Sequence, residues 1–81
     1  MNNHNNGKRR KDSHIQLQLC KRMRDLREDN DLRQWQIANV LQIDRSTYTY
    51  YELGRTRPDY ETIVKLAKYY GVSIEYLLGV E

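Results

Sequence analysis

The sequence predicts an all-α protein, a compact five-helix bundle. Apolar residues recur at helical intervals of three and four from Ile15 onward, and no segment alternates apolar with polar residues as a half-buried strand does. Residues that stop helices separate these periodic segments, namely Asn30-Asp31, Gly54 and Gly71. The 81 residues suffice for one domain with a small, dense core.

The first helix is expected at about residues 15–29. Asn30-Asp31 ends it, and its inner face consists of Ile15, Leu19, Met23 and Leu26. The single cysteine, Cys20, lies within this pattern. It cannot form an internal disulfide, and we expect a small buried thiol there.

Two short helices follow, at about 34–41 and 45–53, with the turn Gln42-Ile43-Asp44 between them. Asp44 is expected to cap the second one, because a carboxylate at this position accepts hydrogen bonds from the free amides of the first turn. The inner stripe of the first short helix is expected to consist of Trp35, Ala38 and Leu41. Two such helices joined by a tight turn must pack at an angle, which is typical of a helix-turn-helix unit.

The remaining chain predicts two more helices. Pro58-Asp59 opens the fourth, and Gly71 ends it in a position that favours glycine. Ser73 is expected to cap a short fifth helix. The core stripe of the fourth helix is Ile63, Leu66, Ala67 and Tyr70.

The segments LREDNDLRQWQIANVLQIDRSTYTYYELGRTRP and TIVKLAKYYGVSIEYLL resemble the Cro and phage-repressor helix-turn-helix family, also called the xenobiotic-response-element family. The resemblance covers about residues 19–79 and implies a repressor-like DNA-binding domain whose recognition helix spans about 45–53. It also implies a structural ion pair between Arg27 and Glu52, which would tie the first helix to the third. Such a protein is expected to be a transcriptional regulator that binds double-stranded DNA in a sequence-specific way. In the simplest case it is a repressor that occupies an operator.

The outer face of the recognition helix carries the predicted base-reading residues, Arg45, Ser46, Thr49 and Tyr50. Their spacing puts them on one stripe that a major groove about 12 Å wide admits. Arg45 suits a bidentate contact to guanine; the alternative is a solvated surface charge. Tyr48 and Tyr51 are expected to point into the core instead.

The predicted phosphate contacts are Arg33, Gln34, Thr47, Arg55 and Arg57. The resemblance makes Gln34 the strongest, because relatives use the matching glutamine on phosphate and to brace the recognition helix. Two positions depart from the family. Arg33 replaces the usual Ser or Thr, so Asp31 and Gln34 could form a substitute capping box, and Gln42 stands where glycine is frequent.

Residues 1–14 are expected to form a disordered basic arm before a domain at 15–81. The arm holds four of the fourteen basic residues and one of the eleven acidic ones, which leaves ten of each sign beyond it. It is either a solvated tail or cloning remnant, or an arm that follows the DNA backbone or enters a minor groove.

A homodimer is expected, because one recognition helix reads few base pairs. Its predicted surface is the C-terminal region from Val72 to Val80, with Leu77 reserved for the core of the monomer. The alternative function is a protein-binding adaptor, such as an antitoxin or coregulator, that presents Trp35, Tyr50 and Leu53 to its partner. Salt dependence separates the two, because DNA binding weakens steeply as salt rises.

Other classes of function find no support in the sequence. His4 and His14 lie in or beside the arm, and no metal-ligand spacing or Gly-rich phosphate loop occurs. We therefore expect no enzyme, no metal, no cofactor and no small-molecule effector. No apolar run approaches the roughly 18 residues of a membrane span, so we expect a cytoplasmic protein of bacterial or phage type.

Overall fold

The computed structural model describes residues 2–80, with side chains from residue 14 onward. Within this range the protein contains helices and no strand, so the all-α prediction is confirmed. The helices are α1 (Asn2–Asp29), α2 (Gln34–Leu41), α3 (Arg45–Leu53), α4 (Tyr60–Tyr70) and α5 (Ile74–Leu78).

Helix α1 begins at Asn2, well before the start predicted near residue 15. Residues 8–18 contain neither Gly nor Pro, so nothing in their backbone chemistry stops a helix there. The division of the chain at residue 14 and a DNA-binding role for the basic arm stay predictions, because the side chains of 1–13 lie outside the described residues.

The core lies where the five helices converge, and each helix contributes to it. Its fully or nearly buried apolar residues are Leu19, Met23, Ile37, Ala38, Leu41, Tyr48, Ile63, Leu66, Ala67 and Leu77. Tyr51 and Tyr70 are half-buried against this cluster. The hydroxyls of Tyr48 and Tyr70 are buried, and burial raises the pKa of both groups. The Tyr70 hydroxyl has no hydrogen-bond partner among the described residues.

Trp35 does not belong to this core, so its predicted place in the inner stripe of α2 was wrong. The side chain is 51% exposed, whereas Ile37, Ala38 and Leu41 are buried. Ile37 takes the inner position instead. Trp35, two residues earlier, is turned about 200° around the helix axis from it.

Contacts along α1 fasten it to two distant parts of the chain. The Gln16 side chain donates to the carbonyl of Gly54 at 2.6 Å, and Arg22 donates to the carbonyl of Tyr76 at 2.8 Å. The Arg22 guanidinium also lies 4.1 Å from the centre of the Tyr76 ring. Cys20 is half-buried beside Gly54 rather than fully buried, and burial raises the pKa of its thiol.

The ends of α2 differ from the expected capping scheme. The N-cap is Arg33, whose amide donates to the Gln36 side chain at 2.8 Å. The expected box of Asp31 and Gln34 is wrong, because Asp31 lies two residues before the cap and the Gln34 side chain turns toward α3. At the other end Gln42 takes the left-handed conformation (φ 61°) at the position where relatives often have glycine.

Asp44 is the N-cap of α3, but its carboxylate makes no bond to a backbone amide. It accepts from the Thr47 hydroxyl at 3.2 Å instead, so the predicted amide capping was wrong. The predicted cap of α5 forms, and α4 has a cap of the same kind. Asp59 accepts from the Thr62 amide at 2.8 Å, and Ser73 accepts from the amide of Tyr76 at 2.9 Å.

Candidate nucleic-acid interface

Helices α2 and α3 pack against each other and place one face of α3 outward. Arg45, Ser46 and Tyr50 are exposed on that face, and Thr49 is half-buried beside them. The inner side of the same helix carries the buried Tyr48 and Glu52. The helix therefore separates a polar outer surface from a buried face that holds it in place.

Gln34 links the two helices through both ends of its amide. Its nitrogen donates to Glu52 Oε1 at 3.2 Å, and its oxygen accepts from the Thr49 hydroxyl at 2.7 Å. The same hydroxyl lies 2.9 Å from the carbonyl of Arg45. Because a hydroxyl has one hydrogen, Thr49 donates to one of these oxygens at a time. Gln34 thus braces α3, and Thr49 turns its hydroxyl toward α2.

Arg27 and Glu52 join α1 to α3. Arg27 Nε donates to Glu52 Oε2 at 2.6 Å, and a second guanidinium nitrogen donates to Oε1 at 3.0 Å, so the pair is bidentate. The side chains are 13% and 4% exposed, respectively. Arg27 also donates to the carbonyl of Leu32 at 3.0 Å, next to the start of α2.

The charge of this pair is fixed by its surroundings. Burial alone would raise the pKa of Glu52, but the hydrogen bonds and charge of Arg27, together with hydrogen bonds from Tyr48 and Gln34, outweigh burial, and the net result is a lowered pKa. The hydrogen bond to Glu52 likewise raises the pKa of Arg27. Both groups are therefore ionised at neutral pH, and they hold the inner side of α3 rather than its outer surface.

Four arginines on or near α2 and α3 are exposed: Arg33 just before α2, Arg45 at the start of α3, and Arg55 and Arg57 in the loop after it. No carboxylate in the described part of the chain forms an ion pair with any of them. The Arg55 guanidinium lies 5.8 Å from the centre of the Tyr50 ring. Unpaired guanidiniums around a polar helix face suit an anionic partner such as a DNA backbone.

Arg33, Gln34 and Trp35, at the start of α2, line a surface groove with Arg45, at the start of α3. Predicted phosphate-binding and base-reading side chains therefore meet here. Thr47 is half-buried, and its hydroxyl donates a hydrogen bond to the Asp44 carboxylate. Arg57 lies in the loop after α3. Trp35 was not among the predicted DNA contacts, because the periodic pattern placed it in the inner stripe of α2; only the adaptor alternative had it on the surface.

Among the described residues no group of three or more His, Cys, Asp or Glu side chains could hold a metal ion. None of the described helices combines the length and apolar character needed to cross a membrane.

Comparisons with known proteins agree with this geometry. A helix-turn-helix family model matches residues 23–77. The chain is 46% identical over 58 residues to the cryptic phage CTXphi transcriptional repressor RstR of Vibrio cholerae. This match covers 72% of this chain and 52% of that protein. It is 42% identical over 66 residues to the HTH-type transcriptional regulator DdrOP3 of Deinococcus deserti, covering 80% and 51%, respectively.

A solved structure, that of a transcriptional regulator from Listeria innocua, superposes with a TM-score of 0.73 at 34% identity. The match covers 75% of this chain and 57% of that one. The chain spans about half the length of the curated relatives it matches. With the family model extending from α1 to α5, the chain belongs to the helix-turn-helix family, in its Cro and phage-repressor branch.

Proposed function

We propose that this chain is the DNA-binding part of a transcriptional regulator that binds a double-stranded operator and inserts α3 into the major groove. The observation that carries the proposal is the outer face of α3, where exposed Arg45 and Ser46 lie among unpaired arginines. The inner side of the helix is fixed by Gln34 and by the Arg27–Glu52 pair. A fixed helix with a polar, cationic outer face meets the requirement for reading base edges.

Within this proposal the contacts divide into two classes. Base edges are read by Arg45, Ser46, Thr49 and Tyr50, and phosphates are held by Arg33, Gln34, Thr47, Arg55 and Arg57. For Thr49 the bond to Gln34 leaves the methyl group as the part that faces a thymine methyl. For Gln34 a phosphate contact requires the amide to give up one of its bonds to α3.

Repression by occupying a promoter is the simplest mechanism for such a domain, and the relative RstR is named as a repressor. A function of this kind is one of binding rather than catalysis, and it places the protein in the cytoplasm with the DNA. It requires neither a cofactor nor a small-molecule effector.

A homodimer through the region from Val72 to Val80 completes the proposal, because paired half-sites about 34 Å apart double the base contacts. In that region Val72, Ile74 and Leu78 pack partly on the core. Val80 is exposed. The proposed surface is thus narrower than the apolar content of the segment suggests, which favours a weak dimer.

A protein-binding adaptor is the second candidate. One observation favours it: Trp35, Tyr50 and Leu53 are all exposed on α2 and α3. Aromatic residues are enriched at protein interfaces, so the same surface suits a protein partner.

The deciding experiment incubates the protein with a pool of randomised duplexes at about physiological salt, where non-specific binding is weak, and sequences what is retained. An enriched inverted repeat with half-sites about one helical turn apart supports a dimeric operator-binding protein. An enriched single half-site supports DNA reading by a monomer. A pool that stays random for the wild type favours the adaptor. In the Arg45→Ala control an enriched site should remain but lose its preference at one base pair.

A further inference from the structure

Trp35 is an exposed tryptophan in a cationic groove. Its side chain is 51% exposed in the first turn of α2, although a tryptophan is among the residues that gain most from burial. The groove beside it is lined by Arg33, Gln34 and Arg45. A partner with an apolar part would cover the indole, and one with an anionic part would pair with the arginines beside it.

The charges of the groove define the anionic part. Neither Arg33 nor Arg45 forms an ion pair with a carboxylate of the described residues. Arg27, which also lines the groove, is neutralised by Glu52 at 2.6 Å. Two uncompensated guanidiniums therefore flank the indole, and no acidic side chain lines the groove.

The position of the groove selects its occupant. In a helix-turn-helix unit the second helix enters the major groove while the first crosses the sugar-phosphate backbone. Trp35 lies on the first of these helices, and Arg45 lies at the start of the second. Paired bases are stacked inside the duplex and closed to an indole on this helix, whereas deoxyribose offers an apolar face next to each phosphate.

We propose that Trp35 is a DNA-contact residue, which packs its indole on a deoxyribose of the backbone while Arg33 binds the adjoining phosphate and Arg45 reaches the neighbouring base edge. The inference rests on the proposed function and adds to it a contact that positions the protein without reading sequence. The indole N–H is a hydrogen-bond donor and is available to the same phosphate.

The chain offers a direct assay, because Trp35 is its only tryptophan and its emission reports on this groove alone. The probe is a mixed-sequence duplex of about 20 base pairs at low salt, about 50 mM, where backbone contacts dominate binding. Quenching of the emission by acrylamide is measured with and without the duplex. We expect the duplex to protect Trp35 from acrylamide, and added salt to restore quenching as the complex dissociates.

Affinity of variants gives the second measurement. Trp35→Ala should bind every duplex about tenfold more weakly, the loss typical of an interface anchor, and Trp35→Phe should lose less because it keeps a ring. Val40→Ala is the matched control, since Val40 lies on the same helix, is 42% exposed and does not line the groove. It should bind as the wild type does. Melting curves verify that each variant is folded.

The outcomes separate this inference from the proposed function. If the wild type binds duplexes but Trp35 stays open to acrylamide and Trp35→Ala binds normally, the inference is wrong and the proposed function survives. A loss confined to one base sequence overturns the backbone assignment. A wild type that binds no duplex overturns both. Should Trp35→Ala fail to fold, protection of the wild type together with the affinity of Trp35→Phe decides.

Discussion

Removing the Glu52 carboxylate tests how the recognition helix is held. In Glu52→Ala the Arg27 guanidinium, only 13% exposed, loses both of its bonds to α3 and keeps the one to the carbonyl of Leu32. The Gln34 amide also loses an acceptor. The variant therefore leaves a nearly buried cation with only the exposed Glu28 carboxylate, at 4.0 Å, as a counter-ion, which is the costly way to break such a pair.

The magnitude follows from burial. Loss of one partner of a buried pair costs about 3 to 5 kcal/mol. At about 0.05 to 0.15 kcal/mol per residue, a domain of this length has a free energy of unfolding of about 4 to 12 kcal/mol. The loss is therefore a large fraction of the total. Since 1 kcal/mol corresponds to about 4 to 8 °C for a small domain, Tm should fall by at least about 12 °C.

Glu28→Ala is the matched control for this measurement. Glu28 also approaches Arg27, at 4.0 Å, but its side chain is 61% exposed. An exposed pair contributes about 0 to 1 kcal/mol, so this variant should melt close to the wild type. Circular dichroism during thermal and urea unfolding measures Tm and the free energy of unfolding of each variant. Equal melting of Glu52→Ala and wild type, or equal losses for the two variants, would refute the structural role of the buried pair.

The same pair predicts a pH dependence. The pKa of Glu52 is lowered in the folded protein, so folding is favoured by its ionisation. This contribution is complete above the ordinary glutamate pKa of about 4.3 and is lost as pH falls through the lowered, folded-state value. In urea unfolding between neutral and acidic pH, the stability difference between wild type and Glu52→Gln should shrink toward the acid end. A difference that stays constant would contradict the linkage.

Two further predictions compare matched pairs of variants. Arg45→Ala should relax the preference at one base pair, whereas Arg55→Ala should weaken binding to all sequences and lower the salt slope by about one unit; equal losses on every duplex for both would refute this division of roles. Gly71→Ala should cost about 1 kcal/mol, because its φ is +69° but nothing lies within 4 Å of an added Cβ. Gly79→Ala should cost about 1 to 3 kcal/mol more, because the added Cβ would lie 2.7 Å from Gln18 Cβ and Cγ at a similar φ of +70°; urea unfolding with equal midpoints for the two would contradict that reasoning.

The sequence was most informative where local chemistry decides the structure. The bounds of α2 and α3 follow from a stop at each end, and Gly54 ends α3 in the left-handed conformation that glycine adopts readily. Asp59 and Ser73 cap α4 and α5 through their own side chains, as their residue types predict. These features depend on a few neighbouring residues, so they can be predicted without knowledge of the packing.

Features that depend on tertiary competition were missed. Trp35 and Ile37 both fit a helical stripe, and only the packing of α2 on the rest of the bundle selects Ile37 for the core. The Arg33 side chain has no acceptor with which to cap α2. The bond that forms at the start of α2 is from the Arg33 amide to the Gln36 side chain, and the three-residue spacing of these two positions was the signal for it in the sequence. Thr49 looked like an outward group by spacing alone, yet Gln34 lies within reach of its hydroxyl.

The attachment of α1 has a consequence for how the chain folds during synthesis. Its contacts to Glu52, Gly54 and Tyr76 span 25, 38 and 54 residues, whereas the bond between Gln34 and Thr49 spans only 15. Short-range contacts close early and long-range ones late, because each must first overcome loop entropy. The α2–α3 pair can therefore assemble while the apolar face of α1 is still uncovered. Until α5 has been synthesised and docks, that face is the part of the nascent chain most open to association with another copy or a chaperone.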